Sequence, residues 1–184
     1  MRYSFGAMRR ALTAFLLAAA ALTAAAQEKS EKKAAWPLSL ADGFPKEIPG
    51  YAAAPRDPLP DTDENAMGVF TQVARFYQRI ESPTVTRQFQ LVVQDYGKDK
   101  NLEAEIRKAV AEAGKVQGIE ARDVMVGGLK ALAVTDRTGP TPTTLITVIV
   151  LPSRLLLAQC GNLDRDAALK LVSYVDFPRI AAAR

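Results

Sequence analysis

Residues 143–160 read TTLITVIVLPSRLLLAQC, two apolar runs parted by Pro152-Ser153, and their reading decides the fold. The run 143–151 is almost wholly apolar and β-branched, which suits a central strand lying over a core. Proline cannot continue a strand ladder, so Pro152-Ser153 turns the chain and 154–160 returns as an antiparallel neighbour. Gly161-Asn162 ends that strand. The rest of the chain is read outward from this hairpin.

Toward the N-terminus, 129–135 (LKALAVT) reads as a strand closed by the turn Asp136-Arg137-Thr138-Gly139-Pro140. Residues 122–126 run into it through Gly127-Gly128, a bend or bulge in one strand. Before it, Leu102, Ile106, Ala109, Val110 and Ala113 fall on one face of a helix over 101–113. Asn101 is its expected N-cap, and Gly114 its expected left-handed stop. In 84–96 (TVTRQFQLVVQDY), Val85, Arg87, Phe89 and Leu91 alternate with Thr84, Thr86, Gln88 and Gln90, as a half-buried strand requires. In 67–79 (MGVFTQVARFYQR), β-branched and aromatic content favours a strand. Met67, Phe70, Val73, Ala74, Tyr77 and Ile80 also fit a helical stripe. Glu81-Ser82-Pro83 between the two segments predicts a β-hairpin. Thr71, Arg75, Thr84, Thr86, Gln88 and Gln90 are expected on its wet face.

Past the seed hairpin, Leu163, Ala167, Ala168, Leu171, Val172 and Val175 predict a helix over 163–176. The order is therefore β-β-α-β-β-β-α. It predicts an α+β fold, an antiparallel sheet of about five strands covered on one face by two helices. A parallel nucleotide-binding fold needs helices between most strands, and that pattern is absent.

The start of the chain carries Arg2, Arg9 and Arg10, an apolar run from Ala11 to Ala21, and Ala24 and Ala26 at signal-peptidase spacing. Residues 1–26 are expected to be a cleavable signal peptide, with the mature chain starting at Gln27 in the periplasm. Cleavage leaves no expected membrane span. It also removes three of the 24 basic residues and none of the 20 acidic ones. The remainder is nearly neutral and lacks Lys/Arg clusters, so it offers no electrostatic footprint for nucleic acid. Residues 27–65 read as a charged and then Pro-rich arm, whose apolar groups adhere to the surface of a single domain over 66–184.

There is no histidine and one cysteine, Cys160. The first absence excludes His-based acid–base catalysis, Ser-His and Cys-His pairs, and nearly all zinc and copper sites. The lone Cys excludes an intrachain disulfide. Cys160 reads as a small buried hydrophobe, the other reading being a thiol that pairs with a partner. The acids Asp95, Asp99, Glu103 and Glu105 bring calcium or a glycosidase carboxylate pair to mind. Lys98 and Lys100 interleave with them, and charge at a helix start explains both glutamates. No catalytic residue, metal ligand or cofactor is assigned.

The runs VGGLKALAVTD (126–136) and TTLITVIVLPSRLLLAQCGNLDRDAALKLVSYVDF (143–177) are similar to the ends of small exported proteobacterial proteins. IPGY (48–51) and QDYGKDKNLEAEI (94–106) add to the likeness. The architecture resembles the PsbP/Mog1-like α+β group, from about Ile48 to Ala183. The resemblance implies an accessory or binding role and brings no catalytic residue. The expected function is a non-enzymatic periplasmic binding module for a partner protein or an apolar small molecule. Trp36, Phe44 and Tyr51 are candidates to line a groove. One alternative is a secreted enzyme inhibitor presenting the stiff loop 136–142, with Thr138 and Thr141 at its tip. The other is a hydrolase working through carboxylates alone.

Overall fold

In the computed structural model, β7 (Thr143–Leu151) and β8 (Arg154–Gly161) pair antiparallel from Thr143↔Gly161 to Leu151↔Arg154, in the middle of the sheet. The structure describes residues 38–54, 61–65, 67–82, 85–97 and 100–183. Outward from β7 lie β6 (Leu129–Asp136) and the edge strand β5 (Ile119–Val126). Outward from β8 lie β4 (Val85–Asp95) and β3 (Gly68–Ser82), the hairpin expected from 67–96. The far edge of β3 is shared by β1 (Ala52–Ala53) and β2 (Asp61–Asn65). Every pairing is antiparallel.

Among the described residues the sheet has eight strands rather than about five. Part of the difference lies at Gly127-Gly128, which joins β5 to β6 as a two-residue hairpin turn instead of bending one strand. Both glycines have positive φ, 56° and 80°, the geometry that matches the twist of a tight hairpin. The sequence of β5, IEARDVMV, hides its role because an edge strand carries charge that a central one does not. The rest comes from the proline-rich stretch. There β1 and β2 are edge pieces, and a 3-10 helix spans Leu38–Gly43. Leu40, Phe44 and Ile48 are buried in the core rather than laid on its surface, and the Tyr77 hydroxyl donates to the Pro45 carbonyl at 2.5 Å.

Helices cover both faces, not one. Side chains alternate across a strand, and two hydrophobic clusters follow that alternation. Val73, Leu91, Val148, Leu156 and Ala158 point to a first face, capped by α2 (Arg165–Val172), α3 (Phe177–Ala182) and the 3-10 helix. Phe70, Leu132 and Leu155 point to the second, where α1 (Glu103–Ala113) seats Leu102 and Ile106. Arg107 ties α1 to Asp123 on β5 at 2.7 Å, and Lys130 on β6 reaches Glu103 at 3.2 Å.

Helix ends differ from expectation in detail. Leu102 is the N-cap of α1, while Asn101 accepts from the Glu103 amide at 3.3 Å. Gly114 stays right-handed, and the left-handed turn falls at Gly118 (φ 87°). The single helix expected over 163–176 is shorter and is followed by α3. Asp164 caps α2 through the Ala167 amide, and Asp176 caps α3 through the Arg179 amide. Among the described residues no helix is long and apolar enough to cross a membrane.

Candidate functional site

The residues singled out in the sequence do not converge. Trp36 lies outside the described residues. Phe44 is 4% exposed and packs in the first-face core, so it lines no open groove. Tyr51 is half-buried against the same core. Thr138 and Thr141 are exposed on the loop between β6 and β7. Three strands, β4, β8 and β7, separate β3 from β6. At the usual strand spacing that puts the loop about 20 Å from the Tyr51 edge.

The 136–142 loop has internal order. Asp136 Oδ1 accepts from the Thr138 amide at 2.8 Å and from its hydroxyl at 2.6 Å. The Arg137 amide donates to the Gly118 carbonyl at 2.8 Å, pinning the loop to the turn before β5.

Cys160 is fully buried, between Phe89 and Thr144 in the sheet register. Burial pushes its thiol well above the ordinary value, so it is neither ionised nor reachable by a partner thiol. Among the acids, Glu103 accepts hydrogen bonds from Lys130 and Arg107, which hold its carboxyl below the usual range. Asp95 is ion-paired with Arg154. A general acid needs the opposite environment, desolvated and without cations. Asp99 lies outside the described residues, and no group of acids and Cys that could hold a metal is found among the described ones.

The second face carries a feature the sequence did not isolate. α1 crosses toward β5 and β6, leaving the outer part of β3 and β4 and the neighbouring part of β8 without a helix. There Phe76 is 40% and Ile80 70% exposed. Around them the ladder sets Phe76 opposite Gln90, Gln90 opposite Gln159, and Gln78 opposite Gln88. None of these six side chains is charged. The predicted wet face is split: Thr86, Gln88 and Gln90 belong here, Thr71 and Arg75 point to the first face, and Thr84 is outside the described residues. The signal available in the sequence was the even-numbered set 76, 78 and 80, opposite in phase to Val73 and Tyr77. Read as a helical stripe, Tyr77 and Ile80 fell on one side; in a strand they fall on opposite faces.

No protein-family model matches the chain, and no curated protein matches it in sequence.

Proposed function

We propose that this chain is an exported, periplasmic, non-enzymatic binding module that receives a partner protein on the open part of its second face. The observation that carries the reading is the exposure of Phe76 and Ile80 within an uncharged glutamine ladder. Interface centres are depleted in charge and anchored by aromatic and aliphatic groups. A sheet face is open on one side, whereas small-molecule sites enclose most of their ligand. This favours a protein over an apolar small molecule. The absence of histidine and the ion-paired state of Asp95 and Glu103 support a role without turnover. The compartment rests on the leader-like residues 1–26, and periplasmic protein is expected to begin at Gln27.

A photo-crosslinking residue placed at 76 or 80 in the native compartment tests the surface, with exposed Tyr174 as the control position. One protein captured at both sheet positions, absent at 174 and lost in the double variant Phe76→Asp/Ile80→Asp, supports the reading. Equal labelling at all three positions sinks it.

The ordered loop after β6 favours one second reading, an inhibitor that presents Thr138 and Thr141. Replacing residues 138–141 by Gly and Ser then abolishes target binding, while the Phe76/Ile80 variant keeps it.

A further inference from the structure

Two arginines stand opposite each other at the outer end of the first face. The register pairs Arg79 on β3 with Arg87 on β4, an arrangement in which like charges repel. One carboxylate serves both: Glu81 meets Arg87 Nε at 2.9 Å with one oxygen and Arg79 Nε at 3.6 Å with the other. Each arginine makes its closest approach to Glu81 through Nε. The two side chains are 50% and 36% exposed, so both guanidinium groups reach solvent.

The IPGY segment builds the third wall. Pro49 and left-handed Gly50 (φ 80°) make a tight turn closed by the Tyr51 amide on the Ile48 carbonyl at 2.9 Å. β1 then pairs Ala52 with Gln78, and one step back along that register Tyr51 comes alongside Arg79. Burial raises the Tyr51 phenol above its ordinary value, and Arg87 and Arg79 oppose that rise. The other groups whose charge reaches it are the Cys160 thiol and Glu81. The cluster thus holds two fixed cations, one carboxylate and a phenol that keeps its proton.

We propose that Tyr51, Arg79 and Arg87 form a binding site for a small oxyanion, a carboxylate or phosphate group seated on the two exposed guanidinium groups. Planar guanidinium donors match both groups in geometry. Phe76 and Ile80 lie on the opposite face, so this site stands independently of the partner surface proposed above.

Titrating the full chain with inorganic phosphate and, separately, with acetate at low ionic strength tests it, read by calorimetry or by amide shifts in NMR. Saturable, salt-sensitive binding is expected, with the tighter probe assigning the phosphoryl or carboxylate class. Arg79→Gln and Arg87→Gln each weaken it about tenfold, the loss of charge-assisted hydrogen bonds. Glu81→Gln tightens it by removing the competing carboxylate. A cooperative melt shows that each variant is folded. The proposal is overturned by no saturable binding of either probe, or by affinities unchanged in both arginine variants.

Discussion

Arg154 on β8 and Asp95 on β4 occupy directly paired positions, and their ion pair is also the anchor of the C-terminal helix. Arg154 Nε donates to Asp95 Oδ2 at 2.9 Å, while Nη1 donates to the carbonyls of Ile180 at 2.6 Å and Ala183 at 3.0 Å. Those carbonyls close the C-terminal end of α3, Ile180 in its last turn, where it also accepts from the Ala183 amide at 3.4 Å, and Ala183 at the C-cap. One buried guanidinium therefore satisfies a carboxylate and a helix end together.

Arg154→Ala takes away the cation that pairs with the partly buried Asp95 and a donor to the end of α3, which costs about 3–5 kcal/mol. Urea unfolding is expected to show that loss, and hydrogen exchange is expected to show α3 opening first. Lysine lacks the forked geometry, so Arg154→Lys recovers only part of it. If Arg154→Ala unfolds within ~0.5 kcal/mol of the parent, the anchor has no energetic role.

The turn between β5 and β6 gives a second, asymmetric expectation. Gly127 and Gly128 are both left-handed, but only Gly127 is crowded. A Cβ there would stand 3.0 Å from Phe177 Cδ2, whereas at Gly128 nothing lies within 4 Å. Gly128→Asn should be tolerated within ~0.5 kcal/mol, since Asn enters this region readily. Gly127→Ala should cost about 1–2 kcal/mol from backbone strain alone, and more as Phe177 is displaced. Paired thermal melts separate the two, and equal effects would refute the packing argument.

Acid stability carries the mark of Glu103. Lys130 and Arg107 lower its pKa in the folded state below the ordinary 4.5. The unfolded chain therefore binds the proton more readily. The stabilising contribution is fully present above pH 4.5 and fades as pH falls through the lowered folded value. The group is exposed, so the effect is small and screened by salt. In low-salt melts from pH 6 downward, Glu103→Gln should flatten this part of the acid limb, and high salt should do the same to the parent. A parallel offset at every pH would show that Glu103 acts through packing instead.

The central hairpin, the helix over 101–113 and the β3–β4 hairpin were legible because their patterns agree with their environments. Val148 and Leu156 are apolar where burial is complete, and Phe89 and Leu91 are buried where Gln88 and Gln90 are not, although Val85, in the same phase, is exposed. The edges were not legible. β2 reads DTDEN, a composition with low strand propensity, and it is a strand only because β3 offers an unpaired edge. Cover on the second face was missed for a related reason. β6 and β8 supply Leu132 and Leu155 to α1 while Ala131, Ala133 and Leu156 serve the other side, so these strands are apolar in both phases. Of the candidate site, Thr138, Thr141 and Tyr51 were found at the surface or near it. Phe44 was lost to the core, because nothing local distinguishes an aromatic that pins an arm from one that lines a groove.

The open face itself makes a prediction about stability that separates a binding surface from a packing defect. Phe76 and Ile80 touch solvent, while Val92, in the same phase on the neighbouring strand, is 8% exposed. A side chain left at the surface contributes little to folding, and substitutions of that kind usually fall within ±0.5 kcal/mol. Threonine retains β-branching, so Phe76→Thr/Ile80→Thr changes apolar area with little change in strand propensity. The double variant should therefore unfold at the same urea midpoint as the parent. Val92→Thr should lose about 1–3 kcal/mol from the desolvated hydroxyl. If instead the double variant is the more damaging of the two, Phe76 and Ile80 are covered within the folded chain, and the partner surface must be sought elsewhere.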